Sequence, residues 1–279
     1  MLAMAREFLE RKGLEEARLE AELLVSHSLG LNRLGLFMAL DRPLSSEEID
    51  GARDLLVRRG KREPVAYIIG QREFYGRAFR VGSGVLIPRP ETELLVDIAR
   101  ERVAAMELDV PPRLADLGTG SGCLAVTLAL EIPEAQVIAA DISPEAALQA
   151  RHNAEALGAK VEVLEGDGLA CLLPRGPFHV LVSNPPYVMR SEEASLAPEV
   201  RDYEPDLALF APQDDPDHWV QKLLEALPDI LRPGGFLLVE LGASQGPRVL
   251  QLATRMGYEA RLHEDLARIP RVLEVARGE

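Results

Sequence analysis

A glycine-rich turn followed by a carboxylate forms a pattern that could bind a nucleoside. The turn reads D-x-G-x-G-x-G over residues 116–122 and lies between an apolar strand pattern, 113–117, and an apolar helix pattern, 123–130. Glycines let the backbone approach a ligand closely, and the helix that follows presents free N–H groups at its N-terminus. A second strand pattern, 136–142, ends near Asp141, whose carboxylate can accept hydrogen bonds from two ribose hydroxyls.

The spacing of the glycines separates two kinds of nucleotide ligand. Dinucleotide-binding enzymes use G-x-G-x-x-G with a pyrophosphate at the helix N-terminus, whereas here the third glycine comes one residue earlier. The pattern therefore indicates an adenosine-type ligand without a diphosphate and disfavours a nicotinamide oxidoreductase. The alternative is that the turn merely closes a βαβ unit of a Rossmann-like domain. The cofactor-binding candidates here are Gly118, Thr119, Gly120, Ser121, Gly122 and Asp141.

A second motif, Asn-Pro-Pro-Tyr at residues 184–187, follows another buried strand pattern, 178–182. Parallel strands end at one edge of their sheet, so this motif should lie near the glycine turn. A D-x-G-x-G-x-G turn followed by N-P-P-Y resembles S-adenosylmethionine-dependent methyltransferases that modify planar amide or amino nitrogens. Residues 86–93, Leu-Ile-Pro-Arg-Pro-Glu-Thr-Glu, narrow the resemblance to the HemK-type protein-(glutamine N5) methyltransferases of peptide-chain release factors. The resemblance runs nearly end to end.

This resemblance implies S-adenosyl-L-methionine as cofactor and a release-factor glutamine as methyl acceptor in translation termination. A carboxamide nitrogen is a poor nucleophile, because its lone pair is delocalised into the carbonyl, so positioning must carry the catalysis. The Asn184 side-chain oxygen and the Pro185 carbonyl can accept the two N–H groups of the target amide. Tyr187 would pack against the amide plane. The catalytic candidates are Asn184, Pro185 and Tyr187; Pro186 joins them in substrate binding, and Asn184 also counts as cofactor-binding. No general base is assigned.

Two further segments are site candidates by resemblance. In similar methyltransferases the chain after the third strand lies against adenine, which makes Asp167 an acceptor for the exocyclic N–H and lets Gly168 approach closely; a plain turn is the alternative. Arg89 and Glu91 gather at a helix start that borders the cofactor pocket in the family. We expect them at the rim of the pocket, without a chemical step, and ordinary helix capping is the alternative.

The elements that position these residues fall into three segments. Residues 1–72 predict a helical bundle, with Ser45 and Glu48 as a capping box, and the resemblance implies that it docks the substrate protein. Residues 73–88 predict a hairpin linker, and 89–279 the methyltransferase domain. Strand and helix alternate there, which predicts an α/β fold with a mostly parallel sheet. The resemblance implies a Rossmann-like seven-stranded class I methyltransferase sheet with one antiparallel strand. The basic cluster 58–62 is interpreted as a solvated helix end.

Charge indicates the kind of partner. The chain carries a net charge of −14; residues 1–80 hold 14 basic and 13 acidic residues, so the remainder holds 17 and 32. Such a field repels nucleic acid and attracts a basic protein, which favours release factors as partners and no direct nucleic-acid contact. The segment 190–217 should concentrate this effect and make transfer salt-sensitive. Its carboxylates are Glu192, Glu193, Glu199, Asp202, Glu204, Asp206, Asp214, Asp215 and Asp217, against Arg190 and Arg201.

The sequence lacks the patterns of several other protein classes. No apolar run approaches bilayer length and residues 1–12 form no signal h-region, so we expect a cytoplasmic protein without a membrane partner. Two cysteines and five scattered histidines indicate neither a disulfide nor a metal site. Two alternatives to the favoured function stay open. One is a nucleic-acid amino-methyltransferase, because N-P-P-Y also orients adenine N6 or cytosine N4, and the other is a non-catalytic S-adenosylmethionine-binding scaffold.

Overall fold

The computed structural model describes residues 1–278 and divides into two compact units. The first unit comprises residues 1–71 and 196–203, and the second comprises 72–195 and the described chain from 204 onward. This division differs from the sequence-based one in two places. The hairpin expected as a linker clusters with the second unit, and a short piece of the segment 190–217 clusters with the first. Glu279, the last residue of the expected methyltransferase domain, lies outside the described residues.

The helices and strands follow one another in chain order. The α-helices are α1 Leu2–Arg11, α2 Ala17–Ser28, α3 Arg33–Met38, α4 Ser46–Gly60, α5 Val65–Ile69, α6 Glu93–Ala105, α7 Cys123–Glu131, α8 Pro144–Leu157, α9 Gly168–Leu172, α10 Pro198–Arg201, α11 Asp206–Leu209, α12 His218–Ile230 and α13 Gly246–Arg255. The strands are β1 Gln71–Phe74, β2 Arg77–Arg80, β3 Arg113–Leu117, β4 Gln136–Asp141, β5 Val161–Glu165, β6 Phe178–Ser183, β7 Leu231–Glu240, β8 Glu259–Glu264 and β9 Pro270–Ala276.

The first unit is a small helical domain with its own apolar core. Buried Leu9, Leu24 and Leu56 come from α1, α2 and α4 and pack together. The capping box is confirmed, because the Ser45 side chain accepts from the Glu48 N–H and the Glu48 carboxylate accepts from the Ser45 N–H.

The basic cluster of the first unit differs from the sequence interpretation. Arg59 is not solvated: it is buried and forms ion pairs of 2.9 Å with Glu20 and with Glu199 of the 196–203 segment. Helical periodicity placed this arginine at a helix end, but it did not predict that a piece of chain from beyond β6 would cover it. Isolated in a buried position, the guanidinium would be strongly destabilising, and the two carboxylates offset that penalty.

The second unit contains a seven-stranded sheet in the order β5-β4-β3-β6-β7-β9-β8. Strands β3 to β7 pair in parallel, and β9 is inserted antiparallel between β7 and β8. The expected seven-stranded sheet is therefore confirmed. Apolar side chains on one face pack against α6 and α7, and those on the other face pack against α12 and α13. The β1–β2 hairpin forms a separate two-stranded sheet.

Two features of this sheet determine where a ligand can bind. The chain runs outward from β3 through β4 to β5 and then returns to β6 on the other side of β3, so the strand order reverses between β3 and β6. Crevices at the carboxyl ends of strands beside such a reversal are the usual ligand sites of open parallel sheets. Residues 233–235 form an irregularity within β7, where the pairing with β6 shifts register.

Candidate active site

A cavity of about 360 Å³ lies at the carboxyl ends of β3, β4 and β6, within the second unit. It brings together most of the site residues expected from sequence: Gly118, Thr119, Gly120, Ser121, Asp141, Asp167, Gly168, Asn184, Pro185, Pro186 and Arg89. Gly122, Tyr187 and Glu91 are absent from its lining. A cavity of this volume matches the small-molecule sites of other proteins.

The glycine turn forms the floor of this cavity because two of its residues adopt the left-handed backbone conformation. Gly118 has φ +75° and Gly120 has φ +55°, and a side chain at either position would be strained. The N–H groups of Gly118 and Thr119 both donate to the Ala140 carbonyl at the end of β4, at 2.9 and 3.1 Å. The turn is thereby tied to the neighbouring strand.

Gly122, one of the expected cofactor-binding residues, lies outside the cavity lining and packs against α8. Its φ is +82°, and a Cβ added there would come within 3.0 Å of Ala150 in α8. The third glycine of the motif therefore permits close contact between α7 and α8.

Asp141 lies on the cavity wall at the end of β4. Its Oδ2 accepts the Gly120 N–H at 2.8 Å and its Oδ1 accepts the Ser143 N–H at 2.9 Å, so it joins the glycine turn to the start of α8. Burial raises the pKa of Asp141, and the backbone N–H groups of Ser143 and Gly120 oppose that rise. Each carboxylate oxygen retains capacity for a further hydrogen bond.

Asp116, the first residue of the glycine motif, was not among the expected site residues. It is fully buried at β3, where its Oδ2 accepts the Thr119 hydroxyl at 2.6 Å and the Ala125 N–H at 3.2 Å. Its Oδ1 has no hydrogen-bond partner among the described residues. Burial raises the pKa of Asp116 to about 7. The carboxyl group thus fixes both the turn and the first turn of α7.

Asn184 faces the cavity directly after β6, and its side-chain Nδ2 donates to the Thr92 hydroxyl at 3.3 Å. Thr92 ends the short 3₁₀ turn Pro90–Thr92 and also lines the cavity. Glu240, the last residue of β7, is buried beside this pair. Burial raises the pKa of Glu240 to about 7, and a hydrogen bond from Thr92 opposes the rise.

Tyr187, which we expected to pack against the substrate amide, lies outside the cavity lining. Its ring lies against Gly242, where an added Cβ would come within 3.0 Å of the ring. Burial raises the pKa of the Tyr187 hydroxyl to about 12, and the Glu240 carboxylate acts in the same direction. The ring therefore anchors the end of the Asn-Pro-Pro-Tyr loop to the segment after β7, and the two prolines are the part of the motif that reaches the cavity with Asn184.

Arg89 is held at the rim by a carboxylate from beyond the motif. Glu204 is buried; it accepts the Ile87 N–H at 3.0 Å and pairs with Arg89 at 2.5 Å. This carboxylate fixes the extended segment 87–89 that forms one wall of the cavity. Glu91, the second expected rim residue, acts from outside the lining, where its charge raises the pKa of Glu240.

The acidic segment 190–217 presents less unpaired negative charge than its composition predicted. Six of its nine carboxylates pair with arginines: Glu193 and Asp206 with Arg190, Glu199 with Arg59, Asp202 with Arg201, Glu204 with Arg89, and Asp217 with Arg248. These pairs reduce the field that the segment presents to a partner.

Sequence reasoning missed four residues at or beside this site: Thr92, Asp116, Trp219 and Glu240. Trp219 comes from α12 and contributes an aromatic wall to the cavity. Glu240 was within reach of the same argument that identified Asp141, because it too is a carboxylate at the end of an apolar strand. Thr92 lay in the family motif but carried no distinctive signal of its own.

Comparisons with known proteins agree with this fold. Residues 1–70 match the family model described as PrmC N-terminal domain, and residues 92–200 match the methyltransferase small domain. The release factor glutamine methyltransferase of Geobacter sulfurreducens is 44% identical over 262 residues, which cover 92% of this chain and 88% of that protein. That of Chlorobaculum tepidum is also 44% identical, over 95% of this chain and 92% of its own length.

A solved structure shares the fold. A methyltransferase from Pyrococcus furiosus superposes with a TM-score of 0.54 and 18% identity, covering 83% of this chain and 99% of its own. The fold, the glycine turn and the strand-end carboxylate define the class: this is a class I S-adenosylmethionine-dependent methyltransferase. Within that class, the chain belongs to the release factor glutamine methyltransferase family.

The residues of the cavity fit S-adenosyl-L-methionine. A ribose brings hydroxyl donors, and Asp141 presents a carboxylate with free acceptor capacity on the wall. A sulfonium is cationic, and the lining offers Asp141 and Asp167, while its arginine, Arg89, is already paired with Glu204. Among residues 1–278, no group of three or more histidine, cysteine or carboxylate side chains is arranged to hold a metal ion. Within the same range, none of the helices combines the length and the apolar character needed to span a bilayer.

Proposed function

We propose that this chain transfers a methyl group from S-adenosyl-L-methionine to the side-chain amide nitrogen of a glutamine in a peptide-chain release factor. One observation carries the proposal. A single cavity is lined on one side by the glycine turn with Asp141 and on the other by Asn184, Pro185 and Pro186. A methyl donor and a planar amide can therefore meet within it.

Each side of the cavity has its own task in this reaction. When bound, S-adenosyl-L-methionine supplies an electrophilic methyl group on its sulfonium. Asp141 accepts the ribose hydroxyls, and Asp167 with Gly168 borders the adenine. The Asn184 Oδ1 and the Pro185 carbonyl accept the two N–H groups of the target amide and fix its plane. Consecutive prolines restrict the loop, so these acceptors are held in place before the substrate arrives.

Catalysis in this scheme depends on positioning and on exclusion of water. Transfer of the methyl group would leave the neutral thioether of the cofactor and release one N–H proton of the amide to solvent, and no side chain is assigned as general base. Accepting both N–H groups places electron density on the target nitrogen, and alignment of the two reactants lowers the entropic part of the barrier. Apolar and aromatic side chains of the lining, among them Leu207, Phe210 and Trp219, keep water from the reacting atoms.

The partner is proposed to be a basic protein surface, with no direct nucleic-acid contact. The first unit contains a groove of about 760 Å³ with an apolar lining that includes exposed Met4, Leu40 and Val57. An open apolar groove of this kind is typical of protein-binding surfaces, and it supports a docking role for residues 1–72. The net charge of −14 supports a basic partner over a phosphate backbone. We place the reaction in the cytoplasm, where release factors act.

The test is a methyl-transfer assay on purified release factor with labelled S-adenosyl-L-methionine and mass-spectrometric mapping of the modified residue. We expect label on one glutamine, and none after that glutamine is replaced by alanine. Label that persists in the alanine variant would contradict the proposal. DNA or RNA methylated at rates matching the protein would favour the nucleic-acid alternative, and cofactor binding without transfer to any acceptor would favour a scaffold.

A further inference from the structure

The Asn184 side-chain amide can hold a substrate amide only in one of its two orientations. An asparagine amide carries an acceptor, Oδ1, and a donor, Nδ2, at nearly the same distance from the backbone. With Oδ1 toward the cavity, Asn184 accepts an N–H of the target. With the group rotated by half a turn, Nδ2 would meet that N–H, and two donors repel each other. Some other group must therefore determine which orientation is populated.

Thr92 contacts the Asn184 amide and is placed to make that choice. The Asn184 Nδ2 donates to the Thr92 Oγ1 at 3.3 Å, and Thr92 is only 3% exposed, so water has little access to its hydroxyl. A hydroxyl donates a single hydrogen and accepts through its lone pairs. The direction in which Thr92 donates its hydrogen therefore decides whether Oγ1 acts as acceptor or donor toward Asn184.

Glu240 sets the direction of the Thr92 hydroxyl. It is 4% exposed at the end of β7, and the Thr92 hydroxyl lies close enough to lower the pKa of its carboxyl group. Its Oε2 has no hydrogen-bond partner among residues 1–278, so no other described group takes up that oxygen. An ionised carboxylate can only accept hydrogen bonds. It therefore draws the Thr92 hydrogen toward itself and leaves the Oγ1 lone pairs to the Asn184 N–H.

We propose that Thr92 and Glu240 are positioning residues that hold the Asn184 amide with Oδ1 toward the target nitrogen. The proposal rests on the proposed function, because it explains how that site recognises an amide. These two residues form a hydrogen-bond relay from Glu240 through Thr92 to Asn184. The relay holds Asn184 in this orientation only when Glu240 is ionised. A protonated Glu240 can donate to the Thr92 Oγ1, and Thr92 can then donate to Asn184 Oδ1, which turns Nδ2 toward the cavity.

The charges around Glu240 place this change near neutral pH. Burial raises the pKa of Glu240 to about 7; the hydrogen bond from Thr92 lowers it, Glu91 raises it, and Arg271 and Arg89 lower it. Two other titratable groups act on the same cluster, Tyr187 from the motif loop and Cys123 from α7. Burial raises the pKa of each to about 12, so both are neutral near pH 7.

The experiment measures kcat for methylation of a release-factor glutamine at saturating cofactor and substrate, across pH ~6 to ~9. For the wild-type chain we expect kcat to rise to a plateau as Glu240 ionises. Thr92→Val removes the relay hydroxyl at nearly constant volume, and we expect a loss on the order of 10²-fold in kcat, comparable to loss of one preorganised hydrogen bond at a reacting group. The rise with pH should disappear with it.

Two variants and a matched control separate positioning from packing. Thr92→Ser keeps the hydroxyl, and we expect it to retain the wild-type rate and pH profile. Glu240→Gln can donate to Thr92 at every pH, so its kcat should be low and flat. The control is Thr127→Val, since Thr127 is a buried threonine in α7 whose hydroxyl has no hydrogen-bond partner among the described residues. It should behave as wild type.

Several outcomes would overturn the relay. One is a Thr92→Val chain with wild-type kcat, another is a Thr92→Ser chain as impaired as Thr92→Val, and a third is a pH rise retained by both Thr92→Val and Glu240→Gln. Asp116 titrates in the same range, but every one of these variants leaves it in place. If Thr92→Val does not fold, Glu240→Gln tests the same relay independently. Absence of release-factor methylation by the wild-type chain would instead refute the proposed function.

Discussion

Asp141→Ala tests the cofactor side of the cavity most directly. The carboxylate lies on the cavity wall, and its two oxygens are already fixed by the Gly120 and Ser143 N–H groups. If each ribose hydroxyl donates to it, two hydrogen bonds to a charged acceptor are lost in the variant. Each such bond contributes about 1.5–3 kcal/mol. The expected loss of binding free energy is about 3–6 kcal/mol before rearrangement, or roughly 10²- to 10⁴-fold in Kd.

The same change also affects the cofactor-free protein. The Gly120 and Ser143 N–H groups lose their acceptor, and leaving a buried donor unpaired costs about 1–3 kcal/mol. Ser143 is half-buried, so water can partly replace the carboxylate there, and we expect the stability loss near the middle of that range. Calorimetric titration with S-adenosyl-L-methionine measures the affinity, and denaturant unfolding of the cofactor-free variant measures the stability. Asp141→Asn keeps one side-chain oxygen, so its cofactor affinity and its stability should lie between those of the wild-type chain and those of Asp141→Ala.

Glu165→Ala is the matched control for this prediction. Glu165 ends β5 opposite Asp141 in the strand register, yet it is exposed and absent from the cavity lining. A surface change of this kind stays within about 0.5 kcal/mol, so Kd should change by no more than about twofold. A folded Asp141→Ala chain with unchanged Kd would refute the assignment, as would an equal loss of affinity in the control.

Three further predictions concern other parts of the site. Asn184→Ala should lower kcat by orders of magnitude and leave the cofactor Kd nearly unchanged; parallel loss of both would make Asn184 structural. Burial raises the pKa of Asp116 to about 7, so between pH ~4 and ~7 the folded state binds more protons than the unfolded state and stability falls as pH rises. Asp116→Asn should flatten that fall in denaturant titrations at several pH values, and an unchanged slope would contradict the burial argument. Transfer should slow as salt rises, because screening shortens to ~8 Å at physiological ionic strength. The arginine pairs in 190–217 should make the effect modest. A steady-state rate that does not change with salt would show that the segment is only a solvated surface.

The elements of the methyltransferase unit could be predicted from sequence because their signals are local. The strand expected at 113–117 and the helix expected from residue 123 occur as β3 and α7. The strand order and the antiparallel insertion of β9 were expectations from family resemblance. Periodicity alone predicts only a mostly parallel sheet, because it does not contain information on which strands become neighbours.

The parts of the site that sequence could not predict depend on contacts between distant segments. Thr92 and Glu240 are far apart in the chain, and β7, which ends at Glu240, lies next to β6, which precedes Asn184. Tyr187 stands one residue beyond the prolines of its motif, yet packing against Gly242 places its ring outside the cavity lining. Spacing along the chain did not indicate this difference between adjacent motif residues. The burial of Arg59 has the same cause, since its partner Glu199 is remote in sequence.

The order of the sheet explains why cofactor binding and methyl transfer should be separable by mutation. Strand β3 lies between β4 and β6, so Asp141 and Asn184 are carried by strands that do not pair with each other. Asp141 is fixed by backbone N–H groups of the glycine turn and α8, whereas Asn184 is bonded to the Thr92 side chain. Because the two sets of hydrogen bonds share no member, removal of one leaves the other's partners in place. A lower affinity with intact positioning and a lower rate with intact affinity are therefore the distinct signatures expected of the two sides.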